Sequence, residues 1–368
     1  MSEFYAAHPD FVMPGFRYNE VKAFVERWLE DFSISRETNT FGISLPFDNS
    51  QVTYVWFDAL FNYYTSCKYS RGGDKNNENF IDESDMWPAN LHIVGKDIIR
   101  FHAIFWPAML ASYFDLWTYP DSQGLIHYKD SDRKKLPKNI LCGGHFTVDG
   151  KKMSKSLWNV IEPIAYSEQY SKELLTLYML SAFPIWNDGD YDRQDAIRLY
   201  NAKLANNLGN LVNRVVVLEL KLPARDISID SWRVLDGEKI NNWLWIVFKT
   251  EIQDYMKSYN LKWALDLIFY TIDKFNKYAD EKQPWILIKT DEEWVSEVLY
   301  TLSEGLRQIG LYLYAFFPEK MSEMFIKLWL EDYDFHLQQW KLQELLEKKE
   351  IFHIKEKWEA LFQRIDIK

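Results

Sequence analysis

Cysteine is scarce: the chain of 368 residues has two, Cys67 and Cys142, far apart and in no Cys-x-x-Cys pair. That excludes a disulfide framework and a zinc signature, and it fits a reducing compartment. No apolar run is long enough to span a bilayer, and the N-terminus lacks the charged-then-apolar pattern of a signal peptide. The expected location is cytoplasmic, with the mitochondrial matrix as the alternative, and no membrane partner is expected. Positive charge is in deficit, with 43 Lys and Arg against 54 Asp and Glu and a net charge of −11. This argues against a generic nucleic-acid-coating protein, but not against a local basic site for a structured RNA. No internal repeat is visible.

What is abundant is apolar and aromatic. Hydrophobic residues make up 47%, including 16 Trp, 22 Tyr and 24 Phe, which excludes disorder for the bulk of the chain. The length suits two domains with real cores. Residues 1–18 show no clear period. Asn19 is a candidate cap for a helix through Glu30, with Val21, Phe24, Val25, Trp28 and Leu29 at helical spacing. Residues 31–50 are strand-like in pieces. Val52-Thr53-Tyr54-Val55-Trp56 is β-branched and aromatic and reads as a buried strand, followed by an amphipathic stretch from Ala59 to Cys67. Residues 68–86 read as a polar surface insertion. Leu91 to Val94 is a second strand, 96–114 a helix kinked near Pro107, and Ile140-Leu141-Cys142 a third strand. Pro163 precedes a helix over about 165–182.

This alternation is the grammar of a parallel α/β sheet, whose ligands bind at the carboxyl ends of strands. Trp56-Phe57-Asp58, Gly95-Lys96-Asp97 and Gly143-Gly144-His145 all follow strand ends. Three strands amount to half of a doubly wound, Rossmann-like sheet. Beyond a turn-rich connector at 186–191 the strand signal stops. Helical spacing then runs over 193–221, 238–258, 261–282, 291–316 and 320–331, punctuated by Pro223, Gly237 and Pro284, which predicts an all-α bundle. The charged segment 332–368, with Trp340, Leu345 and Leu346 as anchors, is expected to pack back on the sheet domain. The predicted fold is therefore α/β over 1–192 and helical over 193–368.

One loop carries the clearest chemistry: Gly150-Lys151-Lys152-Met153-Ser154-Lys155-Ser156. Two ammonium groups three positions apart, led in by a glycine, suit a mobile clamp on polyphosphate. The plainer reading is a solvated lysine-rich loop.

That loop, with Tyr54-Val55-Trp56-Phe57-Asp58-Ala59-Leu60 and Gly95-Lys96-Asp97-Ile98-Ile99-Arg100-Phe101-His102, closely resembles the methionyl-tRNA synthetase family of class I aminoacyl-tRNA synthetases. Leu204-Ala205-Asn206-Asn207-Leu208-Gly209-Asn210-Leu211 and Asn276 through Trp285 resemble the family's anticodon-binding bundle. The motifs occur in family order over nearly the whole chain. The resemblance implies adenylation of methionine by ATP with Mg²⁺, then transfer to tRNA(Met). Lys152 and Lys155 would neutralise the triphosphate. Gly95 and Asp97 would meet the ATP ribose, and His145 the adenine, though His145 reads equally as a loop histidine. Trp56, Ala59, Leu60, Tyr63, Ile98 and His102 would line the methionine pocket, against the alternative that they are ordinary core. Asn210 and Arg214 would read the anticodon, with Trp285 as a stacking platform.

Departures from the family pattern accompany the resemblance. No His-x-Gly-His occurs, and neither does the connecting domain that holds zinc in many members; Phe4 to Phe11 resembles the end of that insertion. The expectation is a chain lacking the first half of the catalytic domain, which a separate N-terminal half would supply. Trp158 stands where the family usually has Gly, and His145 is displaced from the usual family position, here Gly143. The competing reading is a non-catalytic tRNA-binding paralogue or fragment. A nucleotidyl transferase for another substrate is disfavoured by the bundle motifs.

Overall fold

The structure, a computed structural model, describes the chain except residues 28, 38–40, 69–85, 223–225, 228–236, 331, 339–340, 349, 355–358 and 367–368. Trp28, Pro223, Trp340 and nearly all of the polar insertion lie outside the described residues. The fold comprises two compact units, Met1–His145 and Phe146–Lys368.

The first unit is built on a parallel sheet in the order Val12–Met13, Asn139–Gly143, Leu91–Gly95. Ile140, Leu141 and Cys142 are buried in its central strand. Along the edge strand burial alternates: His92 and Val94 face inward, while Ile93 is 68% exposed. Two of the three expected strands are thus present. The third differs. Asp48–Thr53 pairs antiparallel with Ser35–Arg36 and Ser44–Leu45 in a small separate sheet, and Val55 and Trp56 open the helix Val55–Lys68. The reason is burial: Val52 is covered but Val55 is exposed, so the run lacks the two-sided burial of a parallel strand. Val12–Met13 takes the third place, too short to show a period.

The first long helix runs Gly15–Glu26 rather than 19–30. Pro14 fixes the entry, and its carbonyl accepts from the amides of Arg17 and Tyr18 at 2.9 and 3.2 Å. The expected kink near Pro107 is a π-helical turn, Phe101–Phe105, leading into Trp106–Tyr113. Proline offers no N–H to the turn before it, and the wider turn absorbs the misfit.

The second unit opens with a hairpin, Phe146–Val148 against Lys151–Lys152. Gly189–Tyr191 runs parallel to its first strand, so part of the expected connector is a strand with a buried Tyr191. Glycine is required at 189, because a Cβ there would sit 2.1 Å from the Phe183 ring. The helix expected over 165–182 is two, Pro163–Gln169 and Lys172–Ser181, the second capped by Ser171 through the Leu174 amide at 3.0 Å.

The bundle follows the predicted spans: 193–219 with an internal π turn, 237–257, Leu261–Lys282, Glu292–Leu313 and Pro318–Lys327. Glu292–Leu313 is buried along most of its length. It approaches Leu261–Lys282 closely at Gly305, where a Cβ would lie 2.1 Å from Phe275. The C-terminal segment packs on this bundle, contrary to expectation. Leu345, Leu346, Phe352, Ile354, Leu361 and Phe362 join its core. Asn201 fixes the end: its Nδ2 donates to the Ile365 carbonyl at 2.7 Å and its Oδ1 accepts from the Ile365 amide at 3.0 Å.

Candidate active site and nucleic-acid interface

In the first unit, the helix Val55–Lys68 and the segment 96–105 bring Trp56, Tyr63, Ile98 and His102 together. The Trp56 ring stacks on Phe101 at 4.2 Å and meets His102 edge-on at 6.2 Å. Nδ1 of His102 lies 3.0 Å from the Ile98 carbonyl, which can only accept, so Nδ1 carries the proton. Nε2 is then the acceptor, and the Tyr63 hydroxyl donates to it at 3.0 Å. Burial holds the His102 imidazole below its ordinary pKa, which keeps it neutral. His92 lies behind this pair, edge-on to Tyr63 at 4.6 Å, and burial pushes its pKa down to about 4. The arrangement is a polar relay walled by aromatic faces, suited to an apolar side chain. Leu60 belongs instead to the packed core, and Ala59 is exposed on the same helix.

At the carboxyl ends of two neighbouring strands, Gly95 pairs in register with Gly143. His145 folds over Gly95, where a Cβ would lie 3.4 Å from its Nε2, and that nitrogen stands 3.6 Å from Asp97 Oδ2. The carboxylate and the imidazole are both well exposed. A glycine floor with a carboxylate and an imidazole at its rim fits hydroxyl and ring-nitrogen recognition.

In the second unit, the lysine loop is a tight hairpin. Asp149 and Gly150 both have positive φ, 53° and 68°, as a two-residue turn of this hand requires. Asp190 latches the tip. Its Oδ1 accepts from the Gly150 amide at 2.8 Å and the Thr147 hydroxyl at 2.5 Å, and these bonds hold its carboxyl below the usual range. Asn159 latches the base, accepting from the Ser154 amide at 2.8 Å and donating to the Lys152 carbonyl at 3.2 Å. Lys152 and Lys155 are exposed on this frame. Trp158 takes a left-handed conformation, φ 52°, with its ring 94% exposed.

In the bundle, Asn210 and Arg214 are both exposed, one turn apart on Asn210–Glu219. Arg214 Nη1 lies 3.0 Å from Asp280 Oδ1, and its guanidinium is 5.9 Å from the centre of the Trp285 ring. Gln283, left-handed at φ 49°, ends the long helix, and Pro284 starts the next turn, which presents Trp285 at 39% exposure. A half-exposed indole beside a guanidinium fits base stacking.

Four residues that matter here gave no signal read from the sequence: His92, Asp190, Asn159 and Asp280. Each acts by holding another side chain or turn, and only the alternation of burial along Leu91–Gly95 could have pointed to His92.

Comparison with known proteins agrees with these features. The family described as tRNA synthetases class I (M) matches residues 1–216. A methionine–tRNA ligase of Caldanaerobacter subterraneus subsp. tengcongensis is 34% identical over 99% of this chain and 53% of its own. That of Rickettsia bellii is 36% identical over 89% of this chain and 59% of its own. Among solved structures, Mycobacterium tuberculosis methionyl-tRNA synthetase in complex with methionyl-adenylate superposes with a TM-score of 0.81 at 29% identity, covering 98% of this chain and 66% of that one. The chain thus spans about half the length of the curated relatives it matches. Its parallel sheet and helices form the class I synthetase fold, and the chain belongs to the methionyl-tRNA synthetase family of class I tRNA synthetases.

Proposed function

We propose that this chain carries part of a methionine–tRNA ligase, which activates methionine with ATP to methionyl-adenylate and passes it to tRNA(Met) in translation. The observation that carries this reading is the match to methionine–tRNA ligases over 99% of the chain, sheet unit and bundle alike. Within each unit taken by itself, the local geometry fits the roles that the reading assigns. Tyr63 and His102, with Trp56 and Ile98 beside them, contact the methionine side chain. Gly95, Asp97 and His145 hold the nucleoside of ATP. Lys152 and Lys155 neutralise the triphosphate, which arrives as its Mg²⁺ complex, while in-line attack of the methionine carboxylate on the α-phosphate expels pyrophosphate. Asn210, Arg214 and Trp285 read the anticodon. In domain terms, 1–192 serve activation and 193–368 serve tRNA recognition. Leu60 and Ala59 act as support and rim of the pocket. The expected setting is the cytoplasm.

Activation in this proposal also needs the part of the relatives that this chain does not match, supplied as a separate N-terminal half or otherwise joined to it. The absence of a His-x-Gly-His motif and the exposed Ile93 on an edge strand support that need. Methionine-dependent ATP–pyrophosphate exchange, run with and without a candidate N-terminal half, is the test. Exchange is expected only with both parts present. Exchange by the isolated chain refutes the need for a second half. No exchange under either condition, with anticodon-arm binding retained, favours the non-catalytic reading.

A further inference from the structure

The long helix Leu261–Lys282 has a second polar face besides the one that meets Arg214. Ile268, Ile272, Phe275 and Ala279 bury one side of it. Asp280, the partner of Arg214, lies about a quarter-turn from a stripe formed by Tyr270, Lys274, Lys277 and Glu281, whose spacings of four, three and four keep them on one face. This stripe, with Lys239 and Trp243 of the helix Gly237–Val247, lines a cleft of about 470 Å³. Tyr270 meets Trp243 edge-on at 6.4 Å, and Lys274 Nζ lies 4.9 Å from the centre of the Tyr270 ring. The lining carries three ammonium groups against one carboxylate in a chain of net charge −11. An ion pair in the stripe, Lys277 with Glu281 at 3.6 Å, is exposed at both ends and readily exchanged for another anion.

Aromatic faces interleaved with lysines suit a nucleotide strand: the rings stack bases and the ammonium groups neutralise phosphodiesters. We infer that this cleft is a second RNA contact, which holds the sugar–phosphate backbone of the anticodon arm beside the Arg214 and Trp285 site. The inference rests on the tRNA reading of that site. The contact is blind to sequence, because lysine meets phosphate as a point charge. It contributes affinity, and Arg214 with Trp285 contributes discrimination.

The test uses the full chain and two fluorescein-labelled stem-loop RNAs, one with a CAU loop and one with that loop scrambled, titrated at several salt concentrations. The double variant Lys274→Ala/Lys277→Ala is expected to bind both RNAs about tenfold more weakly, with a salt slope reduced by about 1–2. Trp285→Ala is expected to lose the preference for CAU while keeping the slope. If the double variant keeps wild-type affinity and slope while Trp285→Ala loses the preference, the cleft inference is overturned and the anticodon reading stands. If the wild-type chain binds neither RNA, both are overturned.

Discussion

The Tyr63 hydroxyl donates to Nε2 of His102 at 3.0 Å because Nδ1 of the same ring is committed to the Ile98 carbonyl. One backbone oxygen therefore sets the tautomer, and the tautomer sets the direction of the Tyr63 hydrogen bond. Removing the hydroxyl leaves Nε2 of a buried ring without its donor, which typically costs about 1–3 kcal/mol. Tyr63→Phe is expected to lower stability within that range. Under the proposed function, assayed with a candidate N-terminal half, it should raise the KM for methionine with little change in the KM for ATP. Equal effects on both substrates would show that Tyr63 only supports the fold.

The same cluster makes stability depend on pH. His92, at about 4, and His102 both have their pKa values depressed below 6.5 by burial. Between the depressed values and 6.5 the unfolded chain binds more protons than the folded one, so stability rises with pH there. It is fully present above 6.5 and is lost as pH falls toward 4, with His92 contributing on the order of 2–3 kcal/mol. Denaturant unfolding between pH 4 and 7 should show this slope, and His92→Phe should flatten it. An unchanged slope in the variant contradicts the assignment.

Glu219 produces the opposite trend in the bundle. Burial raises its pKa to about 8, and Ser303 donates to Oε1 at 2.5 Å. A carboxyl with a raised folded pKa contributes stability below its unfolded value, and that contribution is lost as pH rises toward 8. Glu219→Gln, which is neutral at every pH, is expected to raise the melting temperature more at pH 8 than at pH 5. An equal shift at both values would show that Glu219 is ionised in the fold.

The lysine hairpin depends on Asp190. With the carboxylate removed, the Gly150 amide and the Thr147 hydroxyl lose their common acceptor. Asp190→Ala should speed hydrogen exchange at the Gly150 amide about five- to tenfold while leaving the bundle amides unchanged. Because those bonds hold the Asp190 carboxyl below its ordinary value of 3.8, the latch persists from neutral pH to below 3.8 and fails only as pH falls through the lowered value.

Trp158 is strained in backbone and exposed in side chain, with φ 52° and an indole that packs little. A left-handed conformation costs a non-glycine residue about 1–2 kcal/mol. Trp158→Gly should therefore stabilise the chain by about 1 kcal/mol or less, after the extra freedom that glycine gives the unfolded state is counted. Destabilisation on this substitution would mean that the ring has a packing role.

Much of this fold was legible in the sequence because strong periods mark it. The bundle helices, with Leu204, Leu208, Leu211 and Val215 repeating on one face, were readable almost to their ends. The strand through Ile140 was readable because continuous burial leaves a continuous apolar run. Val52 to Trp56 misled for the same reason: a short β-branched run gives no period that separates a strand from a helix start. Val12–Met13 was too short to register, and the packing of Phe352 and Phe362 depends on a chain reversal that no local pattern encodes. The relay residues were named through family motifs, but their supports were not. Asp190, Asn159 and His92 matter through a few specific contacts rather than a repeating face, and such contacts leave no periodic trace.

The most direct test of the central reading is aminoacylation of a CAU-anticodon tRNA transcript by this chain together with a candidate N-terminal half, with each standard amino acid offered in turn. Charging with methionine alone is expected, and Lys155→Ala should slow it by about 10²–10³-fold. Charging with a different amino acid, or an undiminished rate in Lys155→Ala, would contradict the account.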